Sequence, residues 1–301
     1  MRLQGHARDV LTPAEGGAPI VCAEDWMTAT ASLLREIIEI GTEPARPAVA
    51  GLAGKRAGGH LRGAIDALLP EERARGTPLY LLLDDLAGTS LVAPWAWSLW
   101  HDDWLARLYE IGRTQKSGPS AAGRTVVMEG VCIGFAPGSS ALRAGSYAQP
   151  EQNSVAVPPL VHPDDPAGWH ALPVQTGAGM RRARRIDVWL DSGDIHIDAG
   201  FQDSATTPAG GRVGIHEYAL KATADPGTGT LLSVTADPRV LPHVECPAAI
   251  GNIGRLVGTR LTELRRTVLD ELRGTAGCTH LNDALRALAE VPQLSGALEK
   301  A

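Results

Sequence analysis

The sequence is short of several things. Its 301 residues contain two phenylalanines and four tyrosines against seven tryptophans, and no apolar run approaches the length needed to cross a bilayer. The longest candidate, residues 79–83, has only a strand's length, so no membrane span is expected. Basic residues are not in excess either: 28 Lys and Arg face 34 Asp and Glu, a net charge of −6. Without a Lys/Arg block there is no footprint for neutralising phosphates, which argues against nucleic acid and a charged membrane surface as partners. The four cysteines, Cys22, Cys132, Cys246 and Cys278, include no CxxC pair and are too scattered for a disulfide framework. No apolar segment follows the first charged residues, so a secretory signal is not expected and the chain reads as cytoplasmic. GxGxxG after a strand, GxSxG and HExxH are all missing, which removes the cheapest evidence for a nucleotide cofactor, a serine hydrolase or a zincin.

What is present is an ordinary globular composition, 44% apolar and 21% charged. Prolines at 158, 159, 163, 166 and 173 mark a connection over residues 161–180, dividing a Trp-rich region, 1–160, from a C-terminal domain, 181–301. In the first region the spacing of Trp26, Leu33, Leu34, Ile37 and Ile38 predicts a helix over 23–40, with a second helix over 58–69. Residues 77–86 read as a buried strand ending at Asp84 and Asp85. A Trp-rich, near-helical segment follows over 91–111, and a strand over 126–135 holds Glu129 and Cys132.

The C-terminal domain is cleaner. Ile186, Val188 and Leu190 alternate, as do Ile195, Ile197, Ala199 and Phe201, with Asp191-Ser-Gly-Asp between them as a hairpin signal. Two further strands, 213–224 and 230–236, follow glycine turns, and helices are predicted over 247–257, 261–272 and 280–290, the last capped by Thr279. The expected fold is α+β: an antiparallel four-stranded meander packed by C-terminal helices, with an N-terminal mixed helix/strand region completing the core.

Two constellations could carry chemistry. Cys246 and Cys278 each precede a predicted helix, where the macrodipole favours thiolate, and His280 is two residues from Cys278. With His216 they suggest a metal site (Cys246, Cys278, His280) or a thiolate nucleophile with a histidine base; otherwise the thiols are simply buried. The second set is acid–base: Asp84 and Asp85 at a strand end, with Glu129 and His216 as further proton-transfer groups. Trp95, Trp97, Trp100 and Tyr218 would then line a pocket for a flat molecule, although indoles on one stripe are also what a core contains. Arg181, Arg182, Arg184 and Arg185 read as a solvated strand edge more readily than as an anion site.

The runs Gly214-Ile-His216-Glu217-Tyr218, Pro242-x-x-x-Cys246-Pro247, Leu256-Val-Gly258 and Gly277-Cys278-Thr279-His280-Leu281 resemble the pattern of the bacterial family called domain of unknown function 2889. The resemblance covers about 40% of the chain. It implies that His216, Cys246, Cys278 and His280 fall on pattern positions, and that shorter members lack a counterpart to the first 160 residues. It implies no activity.

Three functions remain in view. The first is an enzyme acting by acid–base chemistry on a small organic, aromatic substrate, a carbon–carbon lyase for example, needing no cofactor or a single transition metal. The second is a metal-dependent enzyme using Cys246, Cys278 and His280. The third is a binding or assembly protein, with the Trp-rich segment as the interface of a homo-oligomer.

Overall fold

In the computed structural model, residues 1–14, 16–104, 106, 107, 110, 128–143 and 154–298 are described. The chain divides into two compact units, one of residues 1–127 with 177–180, the other of 128–176 with 181–301.

The first unit is built on a three-stranded antiparallel sheet, β1 (Arg2–Leu11), β2 (Ile20–Ala31) and β3 (Ile37–Glu43), with β2 central. Strand β2 alternates: Asp25, Met27, Ala29 and Ala31 point inward, while Trp26 is 45% exposed and stacks on His6. The helix expected over 23–40 is therefore two strands. Its β-branched and threonine-rich stretch satisfies its backbone groups by pairing with β1 and β3, a non-local option that helical spacing cannot register. Helices α1 (Leu61–Leu68), α2 (Pro70–Arg75), α3 (Pro78–Val92) and α4 (Trp95–Ser98) follow. The first matches expectation; α3 replaces an expected strand. Thr77 Oγ1 accepts from the Tyr80 amide, Pro78 occupies the first helical position, and the buried Asp25 carboxylate accepts from the Leu79 amide at 3.1 Å. Leu79, Tyr80, Leu83, Leu86 and Ala87 are buried at helical spacing, so a short apolar run was part of a longer buried helix. This unit has a core of its own, with Ile37, Leu52, Leu61, Ile65, Leu79 and Leu83 at its centre.

The second unit contains the expected meander: β5 (Met180–Asp191), β6 (Asp194–Thr206), β7 (Arg212–Ala224) and β8 (Leu231–Val240), in that spatial order. A two-residue strand, β4 (Val155–Ala156), shares the β7 edge with β8. The hairpin after β5 turns through Ser192 and Gly193, both at positive φ, the turn whose twist suits antiparallel strands. On one face, Ile195, Ile197, Ala199 and Phe201 of β6 pair with Ala224, Ala222, Leu220 and Tyr218 of β7. They pack under a 3₁₀ segment (Cys246–Leu256) and helices α5 (Leu264–Glu271), α6 (Thr279–Ala287) and α7 (Val291–Leu298). Each large side chain buried there contributes roughly 1.5–3 kcal/mol. Cys278, not Thr279, is the N-cap position of α6, with no side-chain cap bond, and Pro292 sits in the first turn of α7. Residues 128–135 do not form a strand: they run through turns and a short 3₁₀ stretch (Ile133–Phe135). Residues 126–127 lie outside the described residues.

Candidate functional site

The core face of the sheet is apolar along most of its length and then turns polar. Beyond Phe201 and Tyr218 the next pair on that face is Asp203 and His216, directly opposite each other. A β-bulge follows immediately, because Ser204 pairs with Gly214 rather than with Ile215. Strand β5 contributes Arg182 and Arg184 to the same face by the parity that turns Ile186 and Val188 inward. Helix α6 brings His280 and Asp283 from above.

Asp203 has no exposed surface and the Arg182 side chain is 2% exposed. Arg182 grips the carboxylate with two bonds, Nε to Oδ1 and Nη2 to Oδ2, both 2.8 Å, and its Nη1 donates to Asp283 Oδ2 at 3.0 Å. Arg184 donates to the Asp283 carbonyl at 3.1 Å. The four-arginine cluster is thus no solvated edge: alternation sends two of its members into the core, where buried carboxylates wait.

Both imidazoles approach one oxygen. Asp203 Oδ2 is 3.3 Å from His216 Nδ1 and 3.8 Å from His280 Nε2. The rings stack with centroids 3.3 Å apart and 17° between planes. His216 Nδ1 is buried and makes no hydrogen bond of acceptable geometry among the described residues, while His280 keeps 14% of its side chain exposed. Burial pushes the Asp203 carboxyl up, but the Arg182 charge and hydrogen bonds, with His216, outweigh it and hold the group well below the usual carboxylate range. Burial lowers both imidazoles, His280 the further because His216 adjoins it, so both are neutral at pH 7.

The thiols take no part in this convergence. Among the described residues, the sets of three or more potential ligands with donor atoms within 4.8 Å are Asp203–His216–His280 and His162–Asp187–Asp198. In the second set Arg185 already pairs with both aspartates. Cys246 and Cys278 are buried beside the Tyr218 phenol; burial pushes Cys246 up to about 12 and raises Cys278 and Tyr218 as well. Of the readings open for these cysteines, burial favours the thiol form, because desolvation at these positions exceeds the pull of a short helix end. Cys246 and Cys278 are free, and the Tyr218 hydroxyl lies against Cys278 without a well-formed hydrogen bond among the described residues.

The remaining candidates are dispersed. Asp84 is a mid-helix residue of α3, paired with Arg62 at 2.7 Å; Asp85 is half-buried beside it. Glu129 is exposed in a turn. Trp95 is buried; Trp97 and Trp100 are half-buried. Asp84, Asp85 and these indoles belong to the first unit, whereas His216, Tyr218, Cys246, Cys278, His280 and Glu129 belong to the second. Sequence reading missed Asp203 and Asp283 and placed Arg182 on a solvated strand edge. The alternation Ile195, Ile197, Ala199, Phe201 continues to Asp203, and that parity was the signal available.

The second unit is thus an α+β domain with a buried two-histidine, one-carboxylate cluster at the polar end of its sheet. Residues 180–293 match the model of a family described as protein of unknown function (DUF2889), a segment that contains the whole cluster. No curated protein and no solved structure matches the chain.

Proposed function

We propose that the C-terminal unit is a metal-dependent enzyme domain. Asp203, His216 and His280 would hold one divalent first-row transition metal, which would supply an activated water for acid–base chemistry on a small organic substrate. The observation that carries this reading is the approach of two imidazole nitrogens and one carboxylate oxygen to within 4.8 Å of one another, the buried His216 Nδ1 facing the Asp203 carboxylate at 3.3 Å without a well-formed hydrogen bond. Two histidines and one carboxylate are a common ligand set for such ions, and leave positions open for water and substrate. Both imidazoles are neutral, as ligation requires. Arg182 supplies the outer-shell bonds that orient a ligating carboxylate. The two imidazoles are stacked, so holding one ion with both would require the rings to splay.

The stacking itself favours a second reading, direct proton transfer by the histidine pair, with His216 as base and Asp203 fixing its orientation. Metal analysis of the full chain purified without a histidine tag separates the two. The metal reading expects about one equivalent per chain, reduced about tenfold or more in His280→Gln and His216→Gln. A metal-free protein that cannot be reconstituted overturns it and leaves the second.

A further inference from the structure

Arg181 opens the inward-turning part of β5 and Arg212 begins β7, and both side chains are on the sheet face opposite His216. On β5, alternation separates Arg181 from Arg182. On β7 the bulge reverses the parity, so that Arg212 and Gly214 emerge on the face of Ser204, where a Cβ at Gly214 would meet Val157 at 2.7 Å. Arg212 donates from Nε to Ser204 Oγ (3.0 Å), from Nη2 to the Ser204 carbonyl (2.7 Å) and from Nη1 to Gln175 Oε1 (2.9 Å). Arg181 donates from Nη2 to the Pro173 carbonyl at 2.5 Å. All these acceptors are uncharged.

Most half-buried arginines differ from this pair, although Arg35, which donates to the Ala87 carbonyl, also has no carboxylate partner among the described residues. Arg46, Arg62, Arg182 and Arg265 each face a carboxylate, Glu72, Asp84, Asp203 and Glu290 respectively. Arg181 and Arg212 face none among the described residues, although both are half-buried. Burial lowers both, Arg212 to about 10 with the Arg181 charge contributing, yet a guanidinium stays protonated at neutral pH. Two like charges, partly desolvated and uncompensated, are a standing penalty that an anion would remove. Arg181 also leaves Nε and Nη1 without a protein acceptor among the described residues, and that is the bidentate capacity oxyanions use.

We infer that Arg181, Arg212, Gln175 and Ser204 form a binding site for a small oxyanion-bearing ligand, a phosphate monoester or a carboxylate. It shares no ligand with the Asp203 cluster and stands independently of the metal reading. The test is calorimetric titration of the full chain with inorganic phosphate and with succinate, against sodium chloride at matched ionic strength. Binding of either probe is expected, weakened about tenfold or more in Arg181→Gln and partly restored in Arg181→Lys. Phosphate alone assigns a phosphate monoester; succinate alone assigns a carboxylate. Absence of binding by both probes overturns the inference, and so does an affinity unchanged in both Arg181→Gln and Arg212→Gln.

Discussion

Replacing Arg182 by glutamine removes three charge-assisted bonds at once, two to Asp203 and one to Asp283. Asp283 retains Arg286 at 3.7 Å, so the larger penalty falls on Asp203, which has no exposed surface through which water could replace the guanidinium. Breaking a buried ion pair by deleting one partner costs about 3–5 kcal/mol, and that is the loss expected for Arg182→Gln at pH 8. The loss should depend on pH. Burial holds the His216 and His280 imidazoles down, and the Arg182 charge adds to that in both; removing it lets an imidazole 3.3 Å from Asp203 take up a proton and replace the missing cation. At pH 5.5 the difference between variant and wild type should therefore shrink by about 1–2 kcal/mol, since each unit of pH is worth at most about 1.4 kcal/mol per proton. Urea unfolding followed by far-UV circular dichroism at the two pH values measures this. A loss under about 1 kcal/mol at pH 8, or an equal loss at both pH values, refutes the assignment of Arg182 as the counter-ion of a buried carboxylate.

Other consequences concern the wild-type protein and two neighbouring features. Because His216 and His280 have depressed pKa values, the unfolded chain takes up protons near pH 6.5 before the native state does; stability is fully present above that value and falls below it. The metal-free protein should melt progressively lower between pH 7 and pH 5, and a flat or rising Tm contradicts burial of neutral imidazoles. Native protein treated with iodoacetamide at pH 8 should alkylate at Cys22, the exposed cysteine, and resist at Cys132, Cys246 and Cys278 until denatured. Fast labelling of Cys246 or Cys278, read by peptide mass spectrometry, would revive a thiolate role. A Cβ at Gly277 would stand 2.1 Å from the Leu272 carbonyl oxygen, so Gly277→Ala should lose about 2 kcal/mol or more in the same unfolding experiment. A neutral effect would show that the entry to α6 can shift freely.

Much of the second unit was legible because its signals are local. Two-residue alternation, a Ser192-Gly193 turn and glycine turns before β7 and β8 fix a meander without long-range information. The first unit was not. Its residues 23–40 carry an apolar spacing that suits a helix, and only pairing with β1 decides otherwise. The run Leu79–Leu83 has no periodicity of its own, so its helical state follows from the Thr77 cap and from burial on several sides. At the candidate site, His216 and His280 were visible as residue types, whereas Asp203 and Arg182 were hidden by habit. A charge in a strand reads as the strand's end or its wet edge, and here both positions obey the inward parity of their apolar neighbours. The thiols were legible both as candidates beside His280 and as simply buried groups; choosing between these depends on desolvation, which is not written in the sequence as helix position is.

Anomalous diffraction at the metal absorption edge, on crystals of the full chain grown with zinc or manganese, locates any ion at the Asp203 cluster. One peak is expected about 2.0–2.3 Å from Asp203 Oδ2, His216 Nδ1 and His280 Nε2, with the rings splayed and Arg182 still bonded to the carboxylate. Stacked imidazoles with no peak between them and Asp203, at saturating metal, would contradict the metal reading.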